Sequence, residues 1–275
     1  MNLILQCGRF KLPLHQTLVM GIVNVTPDSF SDGGAFLNSS AALRRIEQLC
    51  ADGADIIDIG GESTRPGAAR VPVEEELRRV LPVIKAAATF NVPLSIDTCK
   101  TEVMLAALDA GADMINDIAG LEAPGAIEAV ARTEVAICLM HKQGNPQTMQ
   151  TDPQYADVVA EVREYLGQRL EVAQQAGVAA DRLLVDLGFG FGKNLAHNTD
   201  LFRAIGPILR ELDFPMLVGV SRKRMLGELT GRDIAERVVP SVTAALMAAQ
   251  AGAQIVRVHD VRETVDALKV WRGLK

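Results

Sequence analysis

The chain has no CxxC pair, no cluster of histidines and no apolar run long enough to cross a bilayer. Each absence closes a class of function. Cys7, Cys50, Cys99 and Cys138 are scattered through 275 residues, which argues against a disulfide framework or a thiolate zinc site and for reduced thiols in a cytoplasmic protein. There is no H-E-x-x-H, and His15, His141, His197 and His259 stand far apart, so a protein cage for Zn²⁺ is not expected. The longest stretch without charge, Val238 to Val256, is broken by Pro240, Ser241, Thr243, Gln250, Gly252 and Gln254 and reads as a buried helix running into a strand. The opening MNLILQCGRF lacks the basic-then-apolar layout of a secretory leader. Basic runs are missing too. The net charge of −6 offers no nucleic-acid surface, so an anionic substrate must be held by local cations.

What is present is an ordinary globular composition, 48% hydrophobic and 23% charged, with no Pro/Gly/Ser linker to divide residues 1–275 into two domains. A short motif recurs as Asp52-Gly53-Ala54, Ala110-Gly111-Ala112 and Ala251-Gly252-Ala253, with Gln175-Ala176-Gly177 doing the same work. In each, a helical pattern meets a Gly that permits a left-handed stop, and an apolar run follows. Eight runs read as strands, near 18–24, 55–59, 93–97, 113–117, 135–140, 183–186, 216–220 and 255–259. Helical patterns separate them, near 39–51, 73–89, 101–110, 124–132, 155–176, 198–211, 233–250 and 261–272. The runs are continuous rather than alternating, as in strands covered on both faces. Eight βα units predict an α/β fold, a TIM (β/α)8 barrel, with an open doubly wound sheet as the alternative. Leu3 to Leu12 reads as a short hairpin at the barrel bottom.

The strand ends carry the functional signal. Asn24, Glu62 to Arg65, Asp97, Asn116, Asp186, Ser221 to Lys223, Arg257 and His259 all follow apolar runs, which places them at the C-terminal rim of a barrel. Asp97, Asn116 and Asp186 end different strands. They are either salt-bridge partners in the barrel mouth or acceptors for a ligand with adjacent N–H donors, such as a 2-amino-4-oxo-pyrimidine edge. Lys223 can donate to the acceptors of that ligand. Arg257 and His259 alternate on one strand face and, with Arg65, Arg222 and Lys223, can hold a phosphate or diphosphate. A Mg²⁺ ion carried by substrate phosphates needs only one more oxygen, and the Asn24 amide offers it. Asp186 to Lys193 fails both as a Walker A loop and as G-x-G-x-x-G, and reads as a flexible turn carrying Asp186 and two rings. Three long Gly/Pro-rich loops, Thr26–Asn38, Glu62–Pro72 and His141–Pro153, share the rim.

Two long motifs, Met20-Gly21-Ile22-Val23-Asn24-Val25-Thr26-Pro27-Asp28-Ser29-Phe30-Ser31-Asp32-Gly33-Gly34 and Asp58-Ile59-Gly60-Gly61-Glu62-Ser63-Thr64-Arg65-Pro66-Gly67, resemble those of dihydropteroate synthases. Ile96-Asp97-Thr98, Ile115-Asn116-Asp117, Met140-His141, Gly188 to Lys193, Gly219 to Lys223 and Arg257 to Asp260 extend the resemblance over almost the whole chain. The resemblance implies a homodimeric TIM barrel of folate synthesis, the sulfonamide target, which joins (7,8-dihydropterin-6-yl)methyl diphosphate to 4-aminobenzoate with Mg²⁺. It implies that Asp97, Asn116, Asp186 and Lys223 hold the pterin, lined by Met140 and Gly219. It further implies that Asn24, Thr64, Arg65, Arg257 and His259 hold the diphosphate, with Asn24 on the metal. Phe30, Thr64, Pro66, Phe191, Ser221 and Arg222 would then form the aminobenzoate site. Lys223, Asp97, Asp186 and Asp32 are the catalytic candidates, Asp32 as the negative charge facing a developing pterin cation. One departure is Leu187, where the family commonly has Pro, which is expected to loosen that turn. The alternatives are a methyl-folate-binding methyltransferase-type barrel and a non-catalytic pterin-binding regulator. The first would need neither a diphosphate pair nor the Thr-Arg-Pro-Gly loop, both of which are present, and no tip residue is lost to motivate the second.

Overall fold

The computed structural model describes residues 4–26, 35–63, 68, 70–144 and 149–275, with the side chains of the helix beginning at residue 35 described from residue 39 onward. Phe30, Asp32, Thr64, Arg65 and Pro66 therefore lie outside the described residues.

Eight parallel strands close a barrel: β3 (Leu18–Asn24), β4 (Ile56–Gly60), β5 (Leu94–Asp97), β6 (Met114–Asp117), β7 (Ala136–Met140), β8 (Leu183–Asp186), β9 (Met216–Val218) and β10 (Ile255–Val258), with β10 returning to pair with β3. The eight expected strands are these, to within a residue or two at each end. The four expected joint glycines, Gly53, Gly111, Gly177 and Gly252, all have φ between +94° and +106°, a conformation that a side chain resists. β1 (Ile4–Cys7) and β2 (Phe10–Pro13) form an antiparallel hairpin. Leu5, Cys7 and Leu14 pack from below against Met20, Ile56, Met114, Ala136, Cys138, Leu184, Leu217 and Ile255, the inward side chains of the lower barrel.

Helices cover the outside. α5 (Val158–Gln175) shows why one forms: Asp157 caps it by accepting from the N–H groups of Val159 and Ala160, and Val158, Val162, Leu166, Leu170 and Ala173 make one buried stripe at helical spacing. The single helix expected near 198–211 is two, α6 (Leu195–Arg203) and α7 (Ile205–Leu212). Pro207 is the reason. It has no N–H to give Arg203, and its ring crowds that carbonyl, so the first helix ends there. A further helix, α8 (Arg224–Thr230), fills a segment read as loop and stops at left-handed Gly231. The helix expected from 233 begins at Val238 as α9 (Val238–Gln250), after one short turn over Ile234–Glu236. α1 (Ala35–Ala51), α2 (Val73–Ala87), α3 (Thr101–Asp109), α4 (Ala126–Ala131) and α10 (Val261–Gly273) complete the layer.

Candidate functional site

The barrel interior changes character over a single period-2 step. Ile56, Met114, Leu184 and Ile255 point inward in the lower apolar layer. Two residues further along the same strands, on the same face, stand Asp58, Asn116, Asp186 and Arg257. The polar strand ends are thus the upper layers of one barrel core, converging on one mouth.

Arg257 is the centre of this layer. Its Nε donates to Asp58 Oδ2 at 2.6 Å and its Nη2 to Asp97 Oδ2 at 2.8 Å. The charge expected to meet a diphosphate is therefore already shared between two carboxylates. Asp58 is fully buried and also accepts from Asn116 Nδ2 at 3.2 Å. Asp58 Oδ1 and Asp97 Oδ1 are buried with no donor among the described residues. Burial pushes the Asp97 carboxyl well above its ordinary range and Asp58 adds to the rise, while Arg257 opposes it. Asp186 is raised by burial, against Lys223. Its Oδ1 accepts from the Gly188 N–H at 2.8 Å. Gly219 sits between these groups. A side chain there would begin 3.7 Å from Arg257 Cβ and 3.9 Å from Asp186 Oδ2.

Lys223 donates to the Phe189 carbonyl and lies 4.6 Å from the centroid of the Phe191 ring. Burial lowers it to about 8, with Asp186 working against the fall. Met140 and Phe191 share a small buried apolar cluster with Ile118 and Met149. This places Lys223, Phe191 and Met140 on one wall of the mouth.

The turn from Asp186 to Lys193 is not flexible. Lys193 is 2% exposed, and its Nζ meets Gly188 O at 2.9 Å, Phe191 O at 3.1 Å, His141 Nδ1 at 2.9 Å and His141 O at 3.4 Å. His141 is pushed down to about 3 by burial and by Lys193, so its neutral ring accepts from the amine. Gly188 and Gly192 are required. A Cβ on either would lie 1.8 Å from His141 O or 2.3 Å from Gln143 O. Leu187 is the departure from the family pattern in this turn. It is fully buried among the core residues behind the barrel.

On the other side of the mouth, Asn24 pairs in register with Gly60, and Gly60 with Asp97. Asn24, His259, Arg222, Arg45 and Asp260 line a cleft of about 570 Å³. Ser221 Oγ lies 3.1 Å from His259 Nδ1, and Arg45 Nη2 donates to His259 O at 2.9 Å. Arg222 holds a left-handed backbone, φ 57°, with its N–H on Ser241 Oγ and its guanidinium paired with both oxygens of Asp260. Among the described residues no group of three or more His, Cys, Asp or Glu could hold a metal ion. A site built on one amide oxygen and substrate phosphates needs no such group, and a Cβ on Gly60 would lie 3.9 Å from Asn24 Oδ1 and 3.8 Å from Asp97 Oδ2, which places that amide oxygen at the barrel mouth.

The structure thus brings together Asp97, Asn116, Asp186, Lys223, Met140, Gly219, Phe191 and Arg257 on one side, and Asn24, Ser221, Arg222 and His259 on the other. Sequence reasoning passed over Asp58, although it stands two residues after Ile56 on an inward face, the signal that marks Asn116 after Met114. It also passed over the clamp at the base of the second loop. There Lys100 Nζ pairs with Glu62 at 2.7 Å and with buried Glu76, and Glu62 Oε1 accepts from the Val71 N–H at 2.8 Å. No spacing in the sequence links those four positions.

The family model for pterin binding enzymes matches residues 20–259. The chain is 54% identical to the dihydropteroate synthase of Neisseria meningitidis serogroup B over 98% of its length and 96% of that protein. Its fold matches a structure of Xanthomonas albilineans dihydropteroate synthase with 4-aminobenzoic acid, at TM-score 0.94 and 52% identity, over 100% of this chain and 98% of that one. It likewise matches Burkholderia cenocepacia dihydropteroate synthase complexed with 7,8-dihydropteroate, at TM-score 0.89 and 51% identity, over 98% and 96%.

Proposed function

The chain belongs to the pterin-binding enzymes as one of the dihydropteroate synthases, and from that premise we propose how its barrel mouth divides the work. The reaction breaks the C–O bond between the pterin methylene and diphosphate, and forms a C–N bond from that methylene to the amine of 4-aminobenzoate. The amine proton leaves to water or to the departing diphosphate.

The pterin slot comprises Asp97, Asn116, Asp186 and Lys223, with Met140 and Gly219 as its lining. The observation that carries this assignment is the inward polar layer itself, acceptors on three neighbouring or facing strands, with the buried Asp97 Oδ1 lacking a donor among the described residues. Asn24 and His259, on the cleft of about 570 Å³, serve the diphosphate together with Thr64 and Arg65. Arg257, held between Asp58 and Asp97, reaches the diphosphate from the pterin side. Mg²⁺, when bound, neutralises charge on the diphosphate, and Asn24 Oδ1 is the protein oxygen that would hold it. Phe30, Thr64, Pro66, Phe191, Ser221 and Arg222 form the aminobenzoate subsite, where sulfonamides compete. Arg222 is committed to Asp260, so its part there is to fix the turn that presents Ser221.

The electron-rich pterin ring delocalises a cation at the methylene, which favours a dissociative route. Stabilisation of the leaving diphosphate by preset charge is then the main contribution of the protein. Asp32 supplies negative charge to the cation, and the first two long loops exclude the water that would trap it. We further propose a cytoplasmic homodimer whose chains each form one barrel domain over residues 1–275. Four free thiols support the compartment. The apolar side chains Leu229, Ile234, Val239 and Met247, 46–74% exposed along α8, α9 and the short turn between them, support a partner surface there.

Incubation with the pterin diphosphate, 4-aminobenzoate and Mg²⁺ is expected to release diphosphate and form 7,8-dihydropteroate. Product no greater than that of a Lys223→Ala variant would overturn the assignment of Lys223 to the slot.

A further inference from the structure

We propose that Asp58 is a positioning residue that fixes which way round the Asn116 amide stands, so that this position accepts a hydrogen bond from the pterin rather than donating one. The proposal rests on the pterin reading of the slot given above.

An amide side chain has two ends of nearly equal shape and opposite chemistry. Asn116 is 5% exposed, so water does not settle which end faces which neighbour. Asp58 settles it. An ionised carboxylate has only acceptors, and Asp58 Oδ2 lies 3.2 Å from the amide. With the amide reversed, two oxygens would meet at that distance with no proton between them. Arg257 Nε donates to the same oxygen at 2.6 Å. A guanidinium N–H can only donate, so that oxygen is already committed as an acceptor and the constraint on the amide stands. Nδ2 therefore turns to Asp58, and Oδ1 takes the opposite edge of the amide.

The effect is on the polarity of the whole slot. Asn116 pairs in register with Asp97, whose Oδ1 is buried with no donor among the described residues, and Asp186 ends a strand of the same mouth. With Asn116 Oδ1 added, three strands present acceptors, and Lys223 presents the donor. A heterocycle with several N–H groups along one edge satisfies them. One with carbonyl or bare ring nitrogen there leaves buried acceptors facing acceptors, a loss of about tenfold or more for each mismatch. Asp58 touches no part of the ligand in this scheme. It acts through Asn116 and Arg257.

The test measures 6-hydroxymethylpterin binding by calorimetry in four proteins whose folding is checked by circular dichroism. Asn116→Ala is expected to weaken binding by about tenfold or more. Unchanged binding would overturn the slot assignment and this proposal with it. Asn116→Asp keeps an acceptor toward the ligand but sets two carboxylates against each other, and should bind more weakly still. Combining it with Asp58→Asn restores the original charge of the group and should recover about tenfold of the affinity lost by Asn116→Asp alone. A double variant no better than Asn116→Asp, with Asn116→Ala still weakened, would overturn the orientation and leave the slot assignment standing. A neutron structure of the deuterated wild-type chain reads the same point without any substitution. Two deuterons are expected on the amide atom facing Asp58, and their presence on the opposite atom would overturn the proposal.

Discussion

Replacing Lys193 with Met tests the physical basis of the site most severely, because Met keeps the length of the side chain and removes only its donors. In the wild type the amine satisfies Gly188 O, Phe191 O and His141 Nδ1 at 2.9–3.1 Å, all buried. Stranding a buried acceptor costs about 1–3 kcal/mol, so three would cost about 3–9 kcal/mol. Part of this is returned, because burial holds the amine at about 7 and Met carries no charge to desolvate. A net loss of about 2–4 kcal/mol is expected, or about 4–16 °C in Tm for a domain of this size. The pH dependence gives the sign a separate check. The folded value is below the unfolded one, so between about 7 and the ordinary lysine value of 10.5 the unfolded chain binds more protons, and wild-type stability rises with pH. Met has no such group. The gap between the two proteins should therefore widen from pH 7 to pH 10 in urea unfolding. Steady-state kinetics at pH 7.5 should show a higher KM for 4-aminobenzoate, because Phe191 stands on the loosened turn. A loss below about 0.5 kcal/mol with a pH-independent gap would refute the role given to Lys193.

Three further predictions concern Lys223, Gly188 and Gly177. Lys223 is lowered to about 8 in the ligand-free protein, so kcat/KM for the pterin substrate should fall as pH rises through that value. Lys223→Arg should lose that alkaline limb while lowering the maximum, and an unmoved limb would remove Lys223 as its source. Gly188→Ala would place a Cβ 1.8 Å from His141 O at φ +68°, and should cost more than about 3 kcal/mol in urea unfolding. Gly177→Ala, with nothing within 4 Å at φ +94°, isolates the backbone term and should cost about 1 kcal/mol.

The barrel was legible because its two signals are local. Continuous apolar runs mark doubly covered strands, and each joint glycine marks where a helix must stop. The polar mouth was legible for the same reason, as Asn116, Asp186 and Arg257 each follow an inward apolar residue by two. What escaped depends on pairing across the barrel. Arg257 reads as a free cation in sequence, yet β10 carries it to Asp58 and Asp97, 199 and 160 residues away. Lys193 reads as the remnant of a failed phosphate motif, yet it closes two loops by reaching back 52 residues to His141. The split between α6 and α7 was visible in principle, since Pro207 has no N–H for Arg203 and favours a break there, although α2 runs on through Pro82.

Asp186→Asn probes the inward polar layer as the pterin slot with least disturbance. The change keeps the shape and replaces an acceptor with a donor. Calorimetry with 6-hydroxymethylpterin should give a Kd weaker by about ten- to a hundredfold, equivalent to about 1–3 kcal/mol. A folded Asp186→Asn variant that binds the pterin as tightly as the wild type would contradict the account.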